Sequence, residues 1–81
     1  MGLKINMIIV LENNEQYIVL KEAMLTGKKY FLAMGLDEHR KVISTKVVIL
    51  EEHVSGFDTY VSKVVDTNIV PVLTRMFKAQ V

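Results

Sequence analysis

The chain has 81 residues, 51 % of them hydrophobic and 23 % charged, with 10 basic against 9 acidic side chains and a formal net charge of +1. That length holds a single small domain (residues 1–81) with a thin core, and the apolar content excludes a disordered chain. Near-neutrality removes the global field that draws proteins to nucleic acid or anionic membranes, and the lack of cysteine removes disulfide and thiolate chemistry.

The first predicted strand is KINMIIVL (Lys4 to Leu11), in which Ile5, Met7, Ile9 and Leu11 share one face at a period of two. ENNE follows (Glu12 to Glu15), and its Asn13 and Asn14 tolerate the positive φ of a tight turn. QYIVLKEAML (Gln16 to Leu25) resumes as a strand, with Tyr17, Val19 and Lys21 opposite Ile18 and Leu20. Gly27 supplies the next turn, and KYFLAMGL (Lys29 to Leu36) forms a third strand. An exposed charged connection, Asp37 to Lys41, leads to VISTKVVILEE (Val42 to Glu52), the fourth and longest strand.

Two readings compete over the remainder. The apolar positions from Phe57 to Phe77 fit one long helix from Gly56 to Lys78, with Ser55 and Asp58 resembling a capping box. Against it, Thr59, Val61, Val64, Val65, Ile69 and Val70 are β-branched, and Pro71 would sit deep inside that helix. The favoured division is a fifth strand at Phe57 to Val65 and a helix from about Asn68 to Gln80, capped by Asp66 or Asn68. Pro71 then falls in the first turn, where its missing N–H has no partner to lose. Ile69, Val72, Leu73, Met76 and Phe77 form the stripe that covers the sheet. The predicted class is α+β: an antiparallel meander of four to five strands with one C-terminal helix packed on it.

In that order of elements the chain resembles the YrzB-like family of small Firmicutes proteins, a domain of unknown function. The resemblance runs from about Met7 to Phe77, through IIVLENNEQYIVLKEAMLTGKKYFLAM, VVILEE, and an aspartate ahead of the spaced apolar residues of VVD…IVPVLTRMF. It implies a fold rather than an activity.

Catalytic and metal chemistry find little support. His39 and His53 lie near Asp37, Glu38, Glu51 and Glu52, without the cysteines or the H-x-x-x-H pair of common zinc sites. Ser44, Ser55 and Ser62 have no G-x-S-x-G setting, and Gly2, Gly27, Gly35 and Gly56 form no phosphate loop. No catalytic residue, metal or cofactor is expected, and no small-molecule substrate is evident. Met7, Met34 and Met76 are expected in the core.

One candidate surface mixes bases and aromatics: Lys28, Lys29 and Tyr30, joined by Tyr17 and Lys21 from the preceding strand. Small barrels bind single-stranded nucleic acid with such mixtures, which makes that the alternative function. The leading expectation is a non-catalytic module that binds a protein or itself, with a homodimer among its states and a bacterial or phage regulatory setting. The apolar runs Met7–Leu11 and Val47–Leu50 are too short to span a bilayer, the N-terminus lacks signal-peptide features, and Asn6 breaks the myristoylation pattern. A cytoplasmic protein with no membrane partner is expected.

Overall fold

The computed structural model describes residues 4–11 and 14–79. Five strands, β1 (Ile8–Val10), β2 (Gln16–Leu25), β3 (Lys28–Leu36), β4 (Val42–Ser55) and β5 (Asp58–Lys63), precede one helix, α1 (Val70–Ala79). Each strand pairs antiparallel with the next, so the sheet order is the chain order. The predicted meander and C-terminal helix are both present.

The turns follow from local chemistry. Thr26 and Gly27 both take positive φ, 50° and 79°, as the two-residue loop joining β2 to β3 requires if the twisted strands are to meet. Gly56 (φ 61°) opens the two-residue loop between Ser55 and Asp58. Asn14 (φ 60°) takes the predicted turn conformation, while Glu12 and Asn13 lie outside the described residues. At the charged connection, the Asp37 carboxylate accepts hydrogen bonds from the backbone N–H groups of His39 and Lys41, at 2.8 and 2.9 Å.

The strand at Asp58–Lys63 rules out the long-helix alternative. Asp66 supplies the cap: its carboxylate accepts from the N–H of Asn68 at 2.8 Å and its carbonyl from the N–H of Val70 at 3.2 Å. Pro71 then occupies the first turn of α1, as expected.

A sheet with alternating residues can bury both faces, and this one does. Tyr17, Val19, Phe31, Ala33 and Leu50 form one core, with Ile9, Leu11, Val48 and Val61 packed around it. Ala23 and Tyr30 form the other with Leu73 and Phe77 of α1, flanked by Leu25, Leu32, Ile49, Val64, Ile69 and Met76. The first face is concave. Lys63 of β5 reaches Glu15, just before β2, at 3.1 Å, although β3 and β4 lie between those strands. In a flat sheet three strand spacings would separate them by roughly 14 Å.

Two irregularities set the details. Val19 pairs with Ala33 and Lys21 with Leu32, so Leu20 is a surplus residue in β2. Strict alternation predicts Lys21 beside Tyr17; the bulge moves it to the helix side, where its ammonium donates to the Phe77 carbonyl at 2.8 Å. Between the Met34–Val47 and Leu36–Val42 pairs, β4 runs longer than β3, and the Lys46 stem lies over Gly35. A side chain there would collide with it, since an added Cβ would lie 2.5 Å from Lys46 Cδ.

Other expectations need correction. The first strand is shorter than predicted, with Ile5 and Met7 exposed ahead of it and Asn6 at φ 71°. Met7 is therefore not core, whereas Met76 packs against the helix-side cluster. Val72 faces outward, leaving Leu73 and Phe77 as the buried residues of α1.

Candidate functional site

The five residues of the basic–aromatic candidate surface do not come together. Tyr17 is 0 % exposed on the concave side and Tyr30 3 % exposed on the helix side, so neither ring is open for a base to stack on. Lys21 is engaged at the end of α1, Lys29 pairs with Glu22 at 3.2 Å, and Lys28 lies 4.0 Å from Glu51. Adjacent strand positions point to opposite faces, and here Tyr30 and Phe31 are buried in different cores.

Two polar clusters form that spacing in the sequence did not reveal. In the first, the buried Tyr17 ring lies beneath the ammonium groups of Lys46 (5.4 Å to the centroid) and Lys63 (5.6 Å). Both lysines pair with Glu15, at 2.8 and 3.1 Å, and the Tyr17 hydroxyl donates to the same carboxylate at 3.3 Å. Hydrogen bonds from Lys46 and then Lys63 hold the Glu15 carboxyl at about 2, down from its ordinary 4.5. The same contacts push both lysines up. This clasp ties the start of β2 to β4 and β5 across the concave face.

The sign of its pH dependence follows from Glu15, whose folded-state value lies below its unfolded one. Its contribution is complete above about pH 4.5 and disappears as pH falls towards about 2. In denaturation midpoints measured from pH 7 to 2, Glu15→Gln is expected to lack the part of the acid decline that the parent protein shows between those values. Superimposable acid limbs would contradict the assignment.

The second cluster lies on the helix-side face at the far end of β4 and β5, where Glu51 is opposite Ser62 and His53 opposite Tyr60. His53 Nε2 lies 2.7 Å from Ser62 Oγ and 3.3 Å from Glu51 Oε2, and its ring stacks on Tyr60 with centroids 4.9 Å apart. A nucleophilic triad needs the hydroxyl and the carboxylate on different ring nitrogens. Here both address the same one, so they compete for it. Beneath them the Tyr30 hydroxyl is pushed up by burial, and further by the Glu51 carboxylate beside it. Among the described residues, no three His, Cys, Asp or Glu side chains group as metal ligands.

The third feature is apolar. The β4–β5 ribbon projects Val54 (68 % exposed), the fully exposed Phe57 and Tyr60 (56 %), and Val65 just beyond it is 85 % exposed. Val65 also borders a half-open cleft of about 510 Å³, with Leu32, Val47, Ile49, Val64 and Phe77 along it. In the long-helix alternative Phe57 and Val65 fall among the apolar positions of the helix, and in the favoured division they end the fifth strand. Phe57 is exposed because it sits in the two-residue loop at the tip of the ribbon, outside both cores.

Comparison with protein-family models, with curated proteins and with solved structures found no match for this chain. No helix among the described residues is long and apolar enough to cross a membrane.

Proposed function

We propose that this protein is a non-catalytic module that binds protein, with a second copy of itself as its first partner. The carrying observation is the apolar exposure at the tip of the β4–β5 ribbon: Val54, Phe57 and Tyr60 lie outside both cores. Exposed apolar surface gathered on one projecting element is characteristic of interaction sites. A net charge of +1 puts little repulsion between copies. The competing contacts at His53 favour a structural cluster over a catalytic one.

The setting that accompanies this reading is a cytoplasmic, bacterial or phage regulatory factor, related in fold to the YrzB-like proteins it resembles. Sedimentation velocity between 5 µM and 1 mM tests the self-association, with a concentration-dependent shift from monomer to dimer as the expected result. A pull-down from lysate, split into nuclease-treated and untreated halves, tests the rest. A specific protein retained in both halves supports protein binding; capture that vanishes with nuclease moves the function to nucleic acid.

A further inference from the structure

The sheet has two edges, and they are unequal. β1 has three residues, which gives little backbone for another strand to pair with. β5 has six, DTYVSK, with neither proline nor bulge, and one acidic residue balances one basic. Its outward backbone groups can be assigned. The N–H of Val64 donates to the Ile49 carbonyl at 2.8 Å, and these residues are directly opposite in the continued register. Ser62, Tyr60 and Asp58 therefore also direct their backbone groups towards β4. Those of Lys63, Val61 and Thr59 point away from the sheet.

We infer that two copies pair antiparallel through β5 about a two-fold axis at Val61, so that Thr59 of each faces Lys63 of the other. The inference rests on the self-association proposed above and specifies its surface. Three constraints fix the register. Continuous faces across the axis require directly opposite residues to come from the same side of the sheet, so only every second register is allowed. The outward groups must meet one another, which Val61 with Val61 and Thr59 with Lys63 satisfy. Among the registers that remain, this one alone sets all three outward-facing residues of β5, Thr59, Val61 and Lys63, against one another. It also sets Asp58 opposite Val64 and Lys63 opposite Thr59, keeping like charges from facing directly. The contact is isologous and closes at two copies, leaving the three-residue β1 edges outermost.

The test uses the full chain. Val61→Pro removes an N–H that points out of the sheet, and Thr59→Pro does the same at an exposed position. Both are expected to keep the parent circular dichroism spectrum and to weaken dimerisation at least tenfold in sedimentation velocity. With no native cysteine, single-cysteine variants report the register directly. Val61→Cys is expected to form a disulfide-linked dimer on mild oxidation, and Tyr60→Cys is not. A parent protein that stays monomeric at 1 mM overturns both the self-association and this interface. A dimer that persists in both proline variants leaves self-association standing and removes β5 as its surface. Cross-linking of Tyr60→Cys in place of Val61→Cys overturns the register.

Discussion

Phe31→Ala is expected to cost about 3–5 kcal/mol of folding stability, the range for removing a buried aromatic ring from a packed core. An 81-residue domain has a total of about 4–12 kcal/mol, so the loss is a large fraction of it. Phe31 is fully buried at the centre of the concave cluster, between Tyr17 and Val19 on one side and Leu50 on another. Its strand, β3, is the central strand of the sheet, with neighbours on both edges that cannot close over the cavity independently. Equilibrium urea unfolding measures the effect, with a single transition moved to much lower denaturant. A loss under about 1 kcal/mol would mean that the concave face is not a packed core.

Phe77→Ala removes a ring of the same size and falls in the same range of about 3–5 kcal/mol, yet its damage is expected in a different place. Phe77 and Leu73 are the buried residues of α1, and Lys21 ties the Phe77 carbonyl to β2. A ten-residue helix is too short to persist undocked in water. The variant should therefore lose helical signal at 222 nm and amide protection over residues 70–79, with β2, β3 and β4 still protected. The concave core uses none of the α1 side chains. Simultaneous loss of protection in α1 and all strands would show instead that the two cores unfold as one.

The features that local chemistry controls were legible in the sequence. Gly27 turns the chain, the β-branched run carries β5, and Pro71 falls within the first turn of α1. Contacts between residues far apart in the chain were not legible. Glu15, Lys46 and Lys63 look like three unrelated surface charges until the sheet curls and brings them over Tyr17. The apolar ribbon was obscured for a related reason. Apolar periodicity marks which side of an element faces inward, but it does not report where a ribbon projects past both cores, as it does at Phe57 between β4 and β5. The basic–aromatic surface assumed that Tyr17 and Lys21 share a face, and one extra residue between them is enough to separate them.

That residue, Leu20, gives β2 something like a reading frame. Before it, the helix-side position is the even-numbered Ile18; after it, Lys21, Ala23 and Leu25 take that side at odd numbers. The same strand thus spells two messages in two phases, with Tyr17 and Val19 addressed to one core and Ala23 and Leu25 to the other. A sequence of this kind is decoded correctly only by a reader who shifts phase at Leu20. The chain itself makes that shift by folding, because no single phase buries Tyr17 on one side and Ala23 on the other.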